Sequence, residues 1–563
     1  MPPVARNPPS WLPRRWALLL LALVLAVTAV ARLKAIDIPL ERDEGEYAYG
    51  GQLLLQGVPP YEAAYNMKFP GIYAAYALVL AVFGESTRGI HLGLLVVNAV
   101  SILLVALLGT WLAGRLAGVT AAATYALLSA NPSMLGLAAH ATHFVVLTSL
   151  LGLWLLVRAT DRDNLGMLFA GGAVLGLSLL MKQHALFFAI FGIAHVLWFS
   201  SARRELPWRR VLAGGGAVAL GTVLPVAATI AYLHGAGVYD RFWFWCVEYA
   251  RVYAGQLSLA EGWPSFTHGF PRAVGLALPL WLLAGGGWIA LWTWRDHRDR
   301  ALWISGFVVT SFAATVPGFW FREHYFIVLL PAVAMLAGAG IVASRRALTR
   351  ASIPNGWSHA FCALVLVLAS APAADSLRTL LAKSPEAMSR AMYGASPFPE
   401  SVEIARYIAA NSEPGSRVAV LGSEPQIYFH SRRRSATGYM YTYGLMERIR
   451  GPRDAVTGEP TWVPQPYARR MHEEMIREIE SARPEHIVFA QVPTSWLAGP
   501  ESEQHILEWS QTYVGERYDL VGLADMLEEG TEYRWGNEAA THVPRSMERM
   551  YVFRLREPSP AAP

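Results

Sequence analysis

The sequence predicts a polytopic α-helical membrane protein of about eleven spans, followed by a C-terminal α/β domain outside the cytoplasm. Three observations predict it. Hydrophobic residues fill 54% of the 563 positions and charged residues only 16%, where a soluble domain carries about 25% charged residues. Apolar runs long enough to cross a bilayer, roughly 17–25 residues, recur through the first two thirds. Composition then shifts near Asp375: the residues from there to Pro563 hold 21 basic and 26 acidic groups, the first 374 only 26 and 16. The net charge of +5 is therefore +10 in the apolar part and −5 in the tail. A basic excess lying between apolar runs sets topology and does not mark a nucleic-acid binder.

Taken in order, the spans fall at 16–35, 89–113, 118–137, 140–158, 165–181, 184–200, 211–233, 273–294, 301–318, 324–343 and 357–374. The first run, from Trp16 to Ala31, is at the long end for a signal peptide. Arg32 and Lys34 follow it without a convincing cleavage site, so it reads as a retained helix. The run from Phe69 to Phe83 is short and begins with Pro70; it reads as a re-entrant or interfacial helix, or as a short twelfth span. With the N-terminus inside, short inside segments carry sixteen basic residues, among them Arg6, Arg203 and Arg204, and the longer outside segments carry eight, or ten with Arg32 and Lys34. That bias supports the orientation. It gives a cytoplasmic segment 1–15, a membrane domain 16–374, and an extracytoplasmic domain 375–563 in a multi-pass protein of the plasma (inner) membrane. Two outside loops are long, 37–88 and 234–272, and the second is rich in aromatics such as Trp243, Trp245 and Tyr249. They read as an interfacial belt or as a lid over a lipid or sugar.

The tail alternates helix and strand patterns: helices at 400–410, 467–482 and 503–512, strands at 417–421, 486–490 and 550–554. It holds no glycine-rich phosphate loop. The two cysteines, Cys246 and Cys362, make neither a disulfide framework nor a metal-ligand spacing, and Cys362 reads as a small buried hydrophobe.

Charges beside a bilayer are costly and mark functional candidates. The densest outside cluster runs from Glu41 through Arg42, Asp43, Glu44 and Glu46 to Tyr47, directly after the first span. Beyond Gly45 the pattern is amphipathic and predicts a helix lying along the membrane surface, whose N-terminus favours acidic residues. Lys68, Lys182, Arg322, His324 and Tyr325 stand at outer helix ends. Only four of the 47 basic residues are lysine, so snorkelling here is mostly the work of arginine. Two of the four lysines at the outer face therefore point to a specific role, and lysine is a point-charge phosphate binder. Carboxylates and cations gathered on one face suit sugar transfer from a lipid phosphate: a general base takes the acceptor proton, and cations hold the departing phosphate. A transporter or lipid flippase would place its ionisable residues near mid-span. A scaffold or sensor would leave the cluster incidental.

On these residues, over about positions 10–345, the sequence resembles the GT-C glycosyltransferases, in particular the family of protein O-mannosyltransferases and lipid A aminoarabinose transferases. The family's Asp-Glu motif with a following Tyr is matched by Asp43-Glu44 and Tyr47. Its Lys-Pro-Pro motif is matched by Lys68-Phe69-Pro70, with Phe in place of Pro. The resemblance implies a GT-C membrane fold, Asp43 as general base with Glu44 assisting, and Lys68 on the lipid phosphate, with Lys182, Arg322, His324 and Tyr325 as further donor contacts. Tyr47, His143, Glu248 and Arg251 are candidate acceptor or sugar contacts. It implies hexosyl or pentosyl transfer with inversion, from a polyprenyl-phosphate sugar to a hydroxyl of a lipid, glycan or protein. No cofactor is implied; a divalent cation held by Asp43, Glu44 and Glu46 is the alternative. One departure stands out. Related sequences often carry an acidic residue between the third and fourth spans, whereas Ala139-His140-Ala141-Thr142-His143 has none. His143 or His140 takes its place, or the role is absent.

Overall fold

The computed structural model describes residues 11–202, 206–453 and 460–556. The first ten residues of the predicted cytoplasmic segment lie outside them, as do Arg203 and Arg204.

Eight helices among the described residues are long and apolar enough to cross a membrane, and three apolar helices are shorter. In chain order the first nine helices are α1 (Arg14–Lys34), α2 (Arg42–Leu55), α3 (Pro70–Phe83), α4 (Thr87–Ala113), α5 (Arg115–Leu128), α6 (Ala141–Arg162), α7 (Leu165–Met181), α8 (Leu186–Ala202) and α9 (Trp208–Gly235). Helices Leu278–Thr293, Arg298–Ala313, Leu330–Arg350 and Asn355–Leu381 complete the bundle. The spans expected over 118–137 and 301–318 form helices of only 14 and 16 residues. Asn131 ends the first of these early: its side chain accepts from the Ser133 N–H and starts a 3₁₀ turn at Pro132.

Helix Leu330–Arg350 is the buried axis of the bundle. Small residues make that possible. A Cβ on Gly338 would collide with the Ala117 carbonyl, and one on Gly287 of the neighbouring helix with the Leu336 carbonyl, so the backbones meet at close range. α1 is the opposite case, with Leu18, Leu19, Leu23 and Val27 exposed toward the lipid. Arg32 is buried near its end and donates to the carbonyls of Ser129 and Gly136 at 2.9 and 3.2 Å, so it satisfies the frayed end of α5.

The tail builds a six-stranded sheet in the order β2-β1-β5-β8-β6-β7, from β1 (Arg417–Leu421), β2 (Arg434–Ser435), β5 (His486–Gln491), β6 (Tyr518–Leu527), β7 (Gly530–Trp535) and β8 (Arg549–Leu555). β3 (Arg448–Arg453) and β4 (Pro460–Pro464) form a separate ribbon. β2, β1 and β5 are parallel, and the rest pair antiparallel. Helix Ala468–Ala482 covers the sheet with Met471, Met475, Ile476 and Ile479 on one face. The β6–β7 hairpin has no counterpart in the sequence expectations.

One hydrophobic core joins the tail to the membrane part. Tyr47 and Tyr49 of α2, Ile72 and Tyr76 of α3, and Ile404, Val420, Tyr428 and Tyr441 of the tail belong to it. α2 is therefore not an exposed amphipathic helix. It is buried from Glu44 to Leu53, between α3 and the tail helix Gln426–Ser431. Gly45 permits the contact, since a Cβ there would lie 2.6 Å from the backbone nitrogen of Gln426.

Candidate active site

The acidic cluster after α1 divides into three jobs. Glu41 is the N-cap of α2 and forms a capping box with Glu44: the Glu44 N–H donates to Glu41 Oε1 at 2.9 Å, and the Glu41 N–H to Glu44 Oε2 at 3.1 Å. Glu44 also accepts from the Ala139 N–H at 2.6 Å and lies 3.2 Å from His91 Nε2. Glu46, buried, accepts from Tyr73 Oη and Tyr441 Oη. Asp43 alone among the four faces an open cavity.

That cavity encloses about 190 Å³ where the membrane helices meet the tail. Lys68, Lys182, Arg322, His324 and Tyr325 line it with Asp43, joined by Tyr253 and Tyr443. Lys68 Nζ lies 3.5 Å from Asp43 Oδ1 and 5.6 Å from the centroid of the Tyr47 ring. Its segment is pinned from two sides. Tyr61 Oη donates to the Lys68 carbonyl at 2.7 Å, and Gln183 Nε2 to the Met67 carbonyl at 2.6 Å. Pro70 then opens α3 at its first position, where the missing N–H costs nothing. Lys182 ends α7 in extended backbone, with its ammonium 4.4 Å from the Tyr325 ring centroid. His324 stacks on His140 with ring centroids 4.4 Å apart.

Burial works to raise the Asp43 carboxyl, but the charges of Lys68, His140, Lys182 and Arg322 outweigh it and hold the group well below the usual carboxylate range. Burial would lower Lys68; Asp43 and Glu46 keep it above its ordinary value. Lys182, desolvated and facing Lys68 and Arg322, is pushed down to about 7. Asp43, His140 and His324 offer one ligand atom each within 4.8 Å of one another. Lys68, Lys182 and Arg322 line the same cavity as Asp43 and His324. The carboxylates of Asp43, Glu44 and Glu46 do not converge on a cation: Glu44 turns to His91, and Glu46 to its tyrosines.

A family model described as dolichyl-phosphate-mannose-protein mannosyltransferase matches residues 68–228. The undecaprenyl phosphate-alpha-4-amino-4-deoxy-L-arabinose arabinosyl transferase of Pseudomonas aeruginosa (strain UCBPP-PA14) is 31% identical over 255 residues, 43% of this chain. The match spans 44% of that relative's length. The crystal structure of ArnT from Cupriavidus metallidurans bound to undecaprenyl phosphate superposes with a TM-score of 0.55 at 17% identity, covering 94% of this chain and 97% of that one. The archaeal oligosaccharyltransferase AglB from Archaeoglobus fulgidus, in complex with an inhibitory peptide and a dolichol-phosphate, gives 0.52 at 12% identity, covering 94% and 75%. The fold is that of the GT-C glycosyltransferases. Over the matched residues this multi-pass membrane chain is similar to that arabinosyl transferase.

In this GT-C chain the cavity gathers six of the residues singled out from sequence: Asp43, Lys68, Lys182, Arg322, His324 and Tyr325. Tyr47 stands just behind Lys68, fully buried. The other four do not line it. Glu44 projects from a different side of α2, where it caps the helix N-terminus and meets His91 and the Ala139 N–H. His143 sits one turn into α6 and is buried among helices; His140, at the helix start, is the one that reaches Asp43 and His324. Glu248 and Arg251 are exposed. The second outside loop folds into a π-helical turn, Phe244–Tyr249, and a short helix, Ala250–Ala254. Ala250, Tyr253 and Ala254 share its cavity face, and Glu248 and Arg251 point elsewhere. The loop's aromatics divide: Trp243 and Trp263 stay exposed, and others pack inward. Trp245 packs on Tyr65 and Tyr439, and Tyr249 Oη donates to Glu447 at 2.7 Å, which ties the loop to the tail.

Sequence reasoning missed the tail's share. Tyr443 lines the cavity, and Tyr441 Oη lies 2.8 Å from Glu46 Oε2 and 3.4 Å from Asp43 Oδ1. Arg42, next to Asp43, pairs with the buried Glu424 at 2.6 Å. The run Tyr439-Met440-Tyr441-Thr442-Tyr443 is a visible tyrosine cluster in the sequence, but nothing in it points to residue 43.

Proposed function

We propose that the protein is a membrane glycosyltransferase that moves a monosaccharide, hexosyl or pentosyl, from a polyprenyl-phosphate donor to an acceptor hydroxyl of a lipid, glycan or protein, by inverting displacement. The observation that carries the proposal is one carboxylate, Asp43, facing Lys68, Lys182 and Arg322 across a small cavity at the tail-side edge of the membrane helices. The relatives named for undecaprenyl-phosphate-linked and dolichyl-phosphate-linked sugars support the donor class.

Asp43 takes the proton of the acceptor hydroxyl as its oxygen attacks the anomeric carbon. The lipid phosphate leaves from the opposite side against Lys68, Lys182 and Arg322, which offset the charge that develops on it. Negative phosphate near these cations also relieves their pull on Asp43 and makes it a better base. In the cell the site faces away from the cytoplasm, as the arginine bias of the loops sets it. Asp43→Asn is expected to abolish transfer while leaving expression and thermal stability intact. Membranes of a deletion strain should accumulate one polyprenyl-phosphate sugar, which names the donor, and lack one glycan, which names the acceptor. Near-normal transfer by Asp43→Asn would sink the assignment.

A further inference from the structure

Glu46 is a buried carboxylate with no part in the transfer step itself. It lies one helical turn beyond Asp43 on α2, 1% exposed, and does not line the cavity. Its Oε1 accepts from Tyr73 Oη at 2.5 Å and its Oε2 from Tyr441 Oη at 2.8 Å. The same Tyr441 hydroxyl stands 3.4 Å from Asp43 Oδ1. One hydroxyl, carried by the tail, thus sits between two carboxylates of the membrane part, one facing the cavity and one sealed behind it.

The two carboxylates hold a proton very differently. Asp43 faces Lys68, Lys182 and Arg322 and binds a proton poorly. Burial pushes Glu46 up to about 7, with Lys68 opposing, Asp43 adding, and the bonds from Tyr73 and Tyr441 opposing. The other titratable groups around Glu46 are Tyr47 of α2, Tyr76 of α3, Tyr61 of the first loop, Cys246 of the second and Tyr443 of the tail.

We propose that Tyr441 and Glu46 form a proton relay behind Asp43, so that the proton taken from the acceptor hydroxyl comes to rest on Glu46. This rests on the transferase reading. In the transfer step the acceptor O–H bond breaks and its proton goes to Asp43. The acceptor oxygen bonds the anomeric carbon, and the carbon–oxygen bond to phosphate breaks with its electron pair leaving on the lipid phosphate. In the relay Asp43 passes the proton to Tyr441 Oη while the proton Tyr441 held passes to Glu46 Oε2. Every proton lost is one gained, and no oxidant or reductant is involved. The proton returns through Tyr441 and Asp43 to water or to the product phosphate as the cavity empties. The relay makes a weakly basic carboxylate competent: Asp43 needs to hold the proton only in passing.

The test is the pH profile of kcat for the full-length protein in membranes of the deletion strain, using the labelled lipid-linked sugar that accumulates there. Glu46 must be ionised to receive the proton, so wild-type kcat should rise about tenfold between pH 6 and 8, centred near 7. Glu46→Gln should lose that rise and lower kcat at least tenfold at pH 8, with the donor KM within twofold of wild type. Tyr441→Phe should do the same, whereas a merely structural Glu46 would leave the shape of the profile unchanged. The relay is overturned if either variant keeps the rise or keeps kcat within twofold of wild type. Binding of undecaprenyl phosphate shows whether each variant is folded. If neither folds, the wild-type profile decides, and a kcat flat from pH 6 to 8 overturns the relay. Asp43→Asn separates the two ideas: transfer by that variant defeats the base, while an inactive Asp43→Asn beside an unaffected Glu46→Gln defeats the relay alone.

Discussion

Removing Glu424 should disable catalysis from the far side of the tail. Its side chain is 0% exposed; one oxygen accepts from Arg42 at 2.6 Å, and the other from Gln426 Nε2 at 2.7 Å. Arg42, whose side chain is 16% exposed, also donates to the Ser423 carbonyl and lies against the Phe398 ring. Glu424→Ala leaves that guanidinium without its counter-charge, while Gln426 Nε2 keeps the Ser401 hydroxyl as acceptor. Breaking a buried pair from one side costs about 3–5 kcal/mol; the remaining partners of Arg42 place this case near the lower figure. Arg42 precedes Asp43 in the first turn of α2, so the loss is expected to move the general base. A displacement of about 1 Å costs on the order of 10²-fold in rate. Lys68, Lys182 and Arg322 are not held by Glu424, so the donor KM should change little. Thermal unfolding of the purified protein and single-donor transfer kinetics measure the two parts. A double-mutant cycle with Arg42→Ala should return a coupling of about 1–3 kcal/mol. A Glu424→Ala protein with wild-type melting temperature and wild-type kcat would refute the clamp.

Three further outcomes are expected. Lys68→Ala removes a cation 3.5 Å from Asp43; it should raise the donor KM more than tenfold and leave acceptor binding unchanged, as measured by undecaprenyl phosphate binding and by acceptor titration. Lys182, pushed down to about 7 by burial and by Lys68 and Arg322, loses its charge as pH rises through that value. kcat/KM for the donor, which reports the free enzyme, should therefore fall above pH 7, and Lys182→Arg should abolish the fall. Gly45→Ala puts a methyl 2.6 Å from the Gln426 backbone nitrogen; it should destabilise the protein by about 1–3 kcal/mol and lower kcat, read by thermal unfolding and transfer assay.

Much of the site was legible because a bilayer makes charge expensive. In a chain this apolar, carboxylates and lysines that stand at helix ends on one face need a reason, and lysine's rarity beside arginine singled out Lys68 and Lys182. Local pattern also found the tail's buried strands: Arg417–Leu421 was expected over the residues it occupies. The hairpin of β6 and β7 escaped, since Tyr518–Leu527 mixes glycine and aspartate into an apolar run, and the acidic turn at Glu528 and Glu529 reads as loop. Within the acidic cluster, type and spacing were visible, but the division of labour was not. Glu41, Glu44 and Asp43 look alike in sequence; only the side of α2 from which each projects turns one to the cavity and two to the cap.

The sequence by itself determined the helical membrane part, the α/β tail and the charged residues that stand at helix ends, because hydropathy and charge cost act residue by residue. Only the tertiary structure decided how the site is completed. Tyr441 and Tyr443 meet Asp43, and Glu424 meets Arg42, across nearly four hundred residues of chain. Such contacts depend on how the tail docks on α2 through a shared core, and no local periodicity encodes that docking.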